Sequence, residues 1–163
     1  MKTLWRVSNH CDLDGLGGEK SDGRWHTAAR GKRIVYLSES PAGAILESLA
    51  NLKGNPALFP EKYQLLEVSV PDDVYAAMVF LSGGSPASRA FFRTLTQSSS
   101  RKKGNDWLRG NISALAGVPS VPSPYSLNIL LNPKHPDARR ISIEACRRIK
   151  CDRRLFHVYP AGK

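Results

Sequence analysis

The sequence predicts an α+β domain with a mixed, mainly antiparallel sheet flanked by helices. Strand-like and helical segments are interspersed, without the regular βαβ repetition that is typical of a doubly wound fold. The chain has 163 residues, of which 41% are hydrophobic, so it is long enough and apolar enough to bury a core. No internal repeat or long low-complexity tract interrupts this pattern. We therefore expect a single domain over residues 1–163.

The first predicted elements are two strands separated by a loop. Residues 3–7 form a short β-rich run, and residues 12–23 are rich in Gly and Asp, which favours a loop. A second strand is predicted over residues 33–38, because its four central residues are aliphatic or aromatic and turn-forming residues flank it. Tyr36 lies within this second strand.

A helix is predicted over residues 41–53. Ser40 is a favourable N-cap, Pro41 suits the first helical position, and Gly54 follows the predicted end. At about 100° per residue, Glu47 falls roughly opposite the centre of the apolar stripe. Periodicity alone therefore predicts that Glu47 faces solvent.

The later elements follow from apolar periodicity and from Gly and Pro breaks. Leu66, Val68 and Val70 alternate with polar residues, which predicts a strand with one buried face. The remaining predictions are a helix over 71–81, a helical stretch containing Phe91, Phe92 and Leu95, a flexible loop over 98–105, a short helix beginning at Asp106, and strands over 125–131 and 140–149.

The formal net charge of +10 favours an anionic ligand, a polyanion or an acidic protein as partner. The basic residues are scattered over several segments, and no helix-turn-helix, zinc-finger or aromatic RNA-binding signature accompanies them. We expect most of them on solvated faces and some at the rim of an anion-binding pocket. A basic nucleic-acid-binding module remains an alternative.

The N-terminal segment and the cysteines predict a reduced, cytoplasmic protein. Charged and polar residues interrupt residues 1–7 before an apolar run of signal-peptide length develops, and no stretch approaches the roughly 20 apolar residues that cross a bilayer. Cys11, Cys146 and Cys151 are odd in number and lack framework-like spacing, which predicts reduced thiols. We expect no metal site, because Cys146, Cys151 and His157 lack paired Cys-x-x-Cys knuckles.

Four separated residues form a candidate site for a small anionic ligand: Arg24, Tyr36, Glu47 and Ser120. Arginine offers a planar fork for phosphate, tyrosine a face for stacking, glutamate a negative charge beside a cationic transition state, and serine a compact hydrogen-bonding group. Each also has a purely structural interpretation: a loop anchor for Arg24, core packing for Tyr36, a solvated helix face for Glu47 and a turn for Ser120.

The order and spacing of these motifs resemble those of RES-domain toxins, the enzyme half of bacterial RES–Xre toxin–antitoxin pairs. The resemblance implies that Arg24, Glu47 and Ser120 are the three residues for which the family is named, with Tyr36 as the usual fourth member. Position 26 is histidine in this chain, where asparagine is frequent in the family. The matching segments are residues 4–7, 23–25, 35–40, 106–108, 118–120 and 130–137, together with the helix that bears Glu47.

The resemblance implies a core similar to that of ADP-ribosyltransferases and an activity that consumes NAD. Glu47, Arg24 and Tyr36 would be catalytic, while Arg24, Tyr36, Ser120 and Arg6 would bind substrate. NAD would be a substrate and no cofactor is expected, because no G-x-G-x-x-G follows a strand. The resemblance also implies an Xre-type helix-turn-helix antitoxin that covers the site, with no membrane partner.

The expected function is therefore a toxin that cleaves the nicotinamide–ribose bond of NAD, by hydrolysis or with phosphate as acceptor, and so arrests growth. An ADP-ribosyltransferase that modifies a host protein is the alternative within the same class. Direct binding to nucleic acid is not expected from the resemblance.

Overall fold

The computed structural model describes residues 1–52, 61–84, 86–88, 90–92, 95–150, 152 and 155. Within these residues, seven strands form one sheet: β1 (Lys2–Ser8), β2 (Val35–Ser38), β3 (Gln64–Val70), β4 (Val79–Phe80), β5 (Leu115–Pro119), β6 (Leu127–Leu131) and β7 (Ser142–Arg148). The helices are α1 (Gly17–Lys20), α2 (Pro41–Asn51), α3 (Asp72–Ala76), α4 (Gln97–Gly110) and a 3-10 helix over Pro136–Arg140.

The strand order is β4-β5-β6-β2-β1-β3-β7. The pairing of β4 with β5 is parallel, and the other five neighbouring pairs in this order are antiparallel. This architecture confirms the predicted α+β class with a mixed, mainly antiparallel sheet. None of the helices in the described residues is long and apolar enough to cross a membrane.

The sheet is packed on both faces near its centre. Ile129 and Leu131 of β6 belong to one buried cluster, whereas Leu130 between them belongs to another, as expected for alternating side chains of a strand. The second cluster includes Trp25 and Trp107, which come from the 21–26 segment and from α4. These two tryptophans therefore attach both segments to the sheet.

All five predicted strands are confirmed, and so is the start of the predicted helix over 41–53. The Ser40 hydroxyl accepts a hydrogen bond from the Gly43 amide at 3.0 Å, and Pro41 occupies the first helical position. The strands predicted over 3–7, 33–38, 66–70, 125–131 and 140–149 correspond to β1, β2, β3, β6 and β7. The predicted helix end at residue 53 lies outside the described residues.

The predicted loop over 98–105 is wrong, because these residues belong to α4. Its N-cap is Thr96, whose hydroxyl accepts a hydrogen bond from the Ser99 amide at 3.3 Å. Its buried positions are Ser100, Gly104 and Trp107, which share one face of the helix at a spacing of four and three residues. Small residues form most of this face, so hydrophobic periodicity does not detect it.

Gly104 explains why that face must be small. A Cβ atom at this position would overlap the carbonyl oxygen of Trp25, so α4 approaches the 21–26 segment through a glycine. The predicted helix from Asp106 is thus the last part of a longer helix.

Three further predictions differ from the structure. The helix predicted over 71–81 ends at Ala76, and the short strand β4 follows it. The predicted helical stretch at Phe91, Phe92 and Leu95 is not helical: the two phenylalanines lie in a turn and Leu95 lies in irregular structure. The predicted 12–23 loop contains helix α1. β5 was not predicted, because its Ala, Gly and Pro residues have low strand propensity; burial among neighbouring strands supplies the stabilisation instead.

The prediction of reduced thiols is wrong for two of the cysteines. Cys11 and Cys146 form a disulfide, with their Cα atoms 6.1 Å apart. Cys11 follows β1 and Cys146 lies in β7, so the bond joins positions 135 residues apart in sequence. Only the folded sheet brings them together, which is why their spacing carries no framework signal. Cys151 lies outside the described residues.

Candidate active site

A cleft of about 430 Å³ brings together side chains from distant parts of the chain. Strands β1, β2 and β6, helix α2 and residues 17–26 contribute to its wall. Four residues of the predicted site line it: Arg6, Arg24, Tyr36 and Glu47. Ser120 reaches the same place through a hydrogen bond to Glu47. The structure therefore assembles the complete predicted set around one cavity.

Glu47 lies on α2 and points toward the sheet, not into open solvent as periodicity predicts. The Ser120 hydroxyl donates to Oε1 of Glu47 at 2.7 Å, and the Asn128 amide donates to the same oxygen at 2.5 Å. Among the described residues, no donor binds Oε2. One carboxylate oxygen is thus held by neutral donors while the other remains able to face a ligand.

A glycine allows α2 to lie close enough for these contacts. A Cβ atom at Gly43 would overlap the Ser38 hydroxyl of β2, so this face of the helix approaches the strand closely. Ala44, one turn before Glu47, is buried. The close approach brings the carboxylate within reach of Asn128, whose position in β6 pairs with Ser38.

Ser120 has both of the roles weighed from the sequence. Its hydroxyl accepts a hydrogen bond from the Ser123 amide at 3.2 Å, as a turn serine does. The same hydroxyl donates its proton to Glu47. Because the turn fixes the oxygen, the hydrogen bond to Glu47 has a defined direction.

Tyr36 is half-buried and its hydroxyl is bonded within the protein. The Trp25 amide donates to the hydroxyl at 3.2 Å, and Nδ1 of His26 lies 2.9 Å from it. Nε2 of His26 lies 3.0 Å from the carbonyl oxygen of Ser21. Burial raises the pKa of Tyr36 to about 12, so the phenol is protonated at neutral pH.

The two arginines of the cleft are anchored by backbone carbonyl groups. Arg24 donates to the Leu95 carbonyl at 2.9 Å, and Arg6 donates to the Asp12 carbonyl at 2.8 Å. Burial lowers the pKa of the Arg6 guanidinium from its ordinary value, while the Asp12 and Asp14 carboxylates oppose that shift. Each guanidinium has five N–H groups, so further donors remain for an anion.

A third arginine, which the sequence had assigned to a loop, stabilises the wall of the cleft. Arg101 of α4 donates to the Gly23 carbonyl at 3.0 Å and pairs with Asp22 at 3.3 Å. These bonds hold the segment that carries Arg24.

Among the described residues, no group of three or more His, Cys, Asp or Glu side chains is arranged to hold a metal ion.

Sequence reasoning missed Asn128 and gave His26 no role. Asn128 lies between two apolar residues of a predicted strand, where it is indistinguishable from an ordinary surface residue. His26 is buried, with 3% of its surface exposed, and its place between Trp25 and Thr27 forms no periodic pattern that would predict this burial. Only contacts across the fold reveal either residue.

Fold and cleft together define a class of protein: a mainly antiparallel α+β domain in which a helix glutamate, two arginines and a tyrosine meet in one cleft. The chain belongs to the RES domain family, whose model matches residues 3–155. The extent of the domain over residues 1–163 stays a prediction.

Three similar proteins illustrate this membership. The chain is 39% identical to Toxin Res of Pseudomonas putida over 142 residues, which cover 86% of this chain and 91% of that protein. It is 32% identical to the Prs ADP-ribosylating toxin of a Sphingobium species over 168 residues, covering 94% and 96% respectively. The M. tuberculosis MbcT-MbcA toxin-antitoxin complex contains a chain of the same fold, with TM-score 0.67, 18% identity and coverage of 91% of this chain and 84% of that chain.

Proposed function

We propose that this protein is the toxin of a toxin–antitoxin system and that it cleaves the nicotinamide–ribose bond of NAD. The observation that carries the proposal is the Glu47 carboxylate, which is held through one oxygen by Ser120 and Asn128 in a cleft that also contains two arginines. Relatives at 39% and 32% identity are named toxins, and one of these names specifies ADP-ribosylation.

The proposed reaction breaks the bond between ribose C1′ and the nicotinamide nitrogen. The bonding electrons leave with nicotinamide, whose positive charge is thereby neutralised, and positive charge develops on the ribose as an oxocarbenium ion. A fixed carboxylate stabilises that charge where it appears. An oxygen atom of water or of phosphate then bonds to C1′. When the acceptor is water, its proton is released to solvent.

The other residues would position the dinucleotide for this step. Arg24 and Arg6 have the charge and geometry to bind the diphosphate. The Tyr36 ring would lie against nicotinamide, and Ser120 would orient Glu47. The cavity volume falls within the range of roughly 300–1,000 Å³ that is usual for small-molecule sites. NAD is the substrate in this proposal, and no cofactor takes part.

The proposed partner is an Xre-type helix-turn-helix antitoxin that covers the cleft. A net charge of +10 favours association with an acidic covering surface. The similar MbcT fold was solved in a toxin-antitoxin complex. In the absence of such a partner, loss of NAD would arrest growth.

Proton NMR of purified protein with NAD, with and without phosphate, tests the proposal. We expect free nicotinamide from the wild type, and the sugar product will identify the acceptor as water or phosphate. Glu47→Gln serves as the blank, and Glu144→Gln serves as the matched control because Glu144 is exposed on β7 outside the cleft. No nicotinamide from the wild type under either condition would contradict NAD degradation.

Transfer of ADP-ribose to a protein is the second candidate, and one observation favours it. The Sphingobium relative, which aligns with 94% of this chain, is named a Prs ADP-ribosylating toxin. Mass spectrometry of cell extract treated with the protein and NAD separates the two candidates. Transfer leaves ADP-ribose on a target protein, whereas hydrolysis or phosphorolysis does not.

A further inference from the structure

We infer that His26 is a positioning residue for Tyr36: it fixes the phenol hydroxyl inside the protein, so that Tyr36 acts on the ligand through its ring and not through its proton. The inference rests on the proposed function of the cleft. It assigns a role to a residue that lies outside the set of Arg24, Tyr36, Glu47 and Ser120.

The hydrogen-bond partners determine which nitrogen of His26 carries the proton. A carbonyl oxygen can only accept, so Nε2, at 3.0 Å from the Ser21 carbonyl, must be the N–H donor. In the neutral ring Nδ1 is then an acceptor. The group 2.9 Å from Nδ1 is the Tyr36 hydroxyl, which must donate its proton there.

The Tyr36 hydroxyl is therefore occupied both as donor and as acceptor. It donates to His26 and accepts from the Trp25 amide. No proton of this hydroxyl remains for a ligand in the cleft, although Tyr36 is one of the residues that line the cavity. The pair consequently orients an aromatic surface, which is the group that a planar nicotinamide ring would contact.

The surroundings of the pair leave little freedom for another arrangement. His26 is buried, and a Cβ atom at Gly23 would overlap the Tyr36 hydroxyl. The Gly23 amide also donates to the His26 carbonyl at 3.1 Å. The segment that bears Arg24 therefore packs closely against Tyr36. The positions of Arg24 and Tyr36 both depend on this packing.

Protonation of His26 would reverse the bond to Tyr36. Nδ1 would become a donor, and the Tyr36 proton would have to turn away from it. Burial lowers the pKa of His26 below its ordinary value; the Ser21 carbonyl opposes this shift, Lys32 adds to it, and Asp22 opposes it. Arg101 is the further charged group that acts on Tyr36. At neutral pH the ring is therefore neutral and the described arrangement holds.

Long-range ¹H–¹⁵N NMR of the full chain tests the tautomer without reference to any activity. At pH 7.5 we expect a protonated Nε2 and an unprotonated Nδ1 for His26, identified by loss of its signals in His26→Gln. The opposite tautomer would overturn the inference. This result is obtained whether or not the protein cleaves NAD.

A double-mutant cycle tests whether His26 acts through Tyr36. We expect His26→Leu to lower kcat/KM for NAD roughly tenfold, mainly through KM, which corresponds to the loss of one hydrogen bond. In a Tyr36→Phe background the same change should cost less than about twofold, because the hydroxyl that His26 holds is absent. Equal losses in the two backgrounds would overturn the inference.

His26→Gln keeps the test valid if the leucine variant fails to fold. The glutamine amide can accept from Tyr36 and donate to Ser21, so kcat/KM at pH 7.5 should remain within about threefold of the wild type. KM of the wild type should rise as His26 becomes protonated at acidic pH, and the glutamine variant should lack that rise. An unchanged acidic limb would contradict the role of His26. Absence of turnover by the wild type would contradict the proposed function instead, and the tautomer measurement would still decide the arrangement.

Discussion

Two concave regions of the molecule contain cationic side chains, and they differ in how their side chains are held. One is the cleft that contains Glu47, and the other is a second pocket of about 340 Å³, here called the basic pocket. Within the part of the chain that the structure describes, no carboxylate lines the basic pocket. Its cationic side chains are Arg30, Lys32, Arg33, Arg109 and Lys134.

The cations of the basic pocket differ from one another in how they are held. Arg30 and Lys134 are exposed, Lys32 donates to Asn105 at 2.9 Å, and Arg33 is directed to Glu19 at 3.1 Å. In the cleft, by contrast, Ser120 and Asn128 bind one oxygen of the carboxylate.

The comparison separates charge from preorganisation. Exposed positive charge attracts anions over a long range, and salt weakens this attraction. Such charge does not orient the anion. Catalysis needs groups that are already held where charge will develop. The cleft meets that requirement among the described residues, and the basic pocket does not. The following predictions test this distinction, beginning with the largest expected effect.

Replacing Glu47 should have the largest effect of all. Glu47→Gln keeps the shape of the side chain but removes the charge opposite the oxocarbenium ion, so kcat for NAD cleavage should fall about 10²- to 10³-fold. Nicotinamide release measured by NMR or chromatography reports the change. Equal activity of Glu47→Gln and Glu144→Gln would contradict a catalytic role that is specific to the carboxylate in the cleft.

An arginine-to-lysine change should separate the two regions by a smaller amount. Arg24→Lys retains the charge but loses the planar fork, so kcat/KM should fall roughly 10- to 100-fold, as for loss of a charged hydrogen bond. The matched variant Arg30→Lys in the basic pocket should remain within about twofold of the wild type. If both variants lost activity equally, charge and not geometry would explain the role of Arg24.

The pH dependence of stability should reveal the buried histidine of the cleft. Because folding favours neutral His26, the unfolded chain binds more protons between the ordinary histidine pKa of about 6.5 and the lower folded value. The free energy of unfolding should therefore decrease as pH falls below about 6.5. His26→Gln should show a smaller decrease in urea unfolding at pH 7.5 and 5.5. Identical pH dependence in the two proteins would place the effect elsewhere.

Neutralising the basic pocket should have the smallest effect on NAD cleavage. Arg30→Gln combined with Lys134→Gln removes two exposed charges without touching the cleft, so turnover should change less than about twofold. Salt-dependent retention on an immobilised polyanion should weaken, because long-range attraction depends on net charge. Loss of turnover in this variant would show that the basic pocket contributes to NAD cleavage and would contradict the distinction between the two regions.

Sequence patterns predicted the parts of the fold that depend on local chemistry. The alternation in β3 and the Ser40–Pro41 start of α2 are visible over a few residues, and the structure confirms both. The first part of helix α4 was not predicted, because the buried positions there are Ser100 and Gly104. Burial there comes from fitting against the Trp25 backbone, a contact that composition does not encode.

The candidate site shows the same division. Residue types and motif order pointed to Arg24, Tyr36, Glu47 and Ser120, and the fold brings them to one cavity. Periodicity predicted that Glu47 faces solvent because it identifies only helix faces that pack against apolar residues. Glu47 instead contacts the polar side chains of Ser120 and Asn128. Asn128 was invisible for the opposite reason, since a single amide within a strand has no distinguishing pattern.

By itself the sequence determined the α+β class, most strands, the cap of α2 and the chemical types available for a site. These follow from local propensity and from the periodicity of side chains within a few residues. Only the tertiary structure decided that Cys11 meets Cys146, that one oxygen of Glu47 has two donors, and that His26 binds Tyr36. Each of these contacts joins different segments, so it exists only after the sheet and its covering helices have packed.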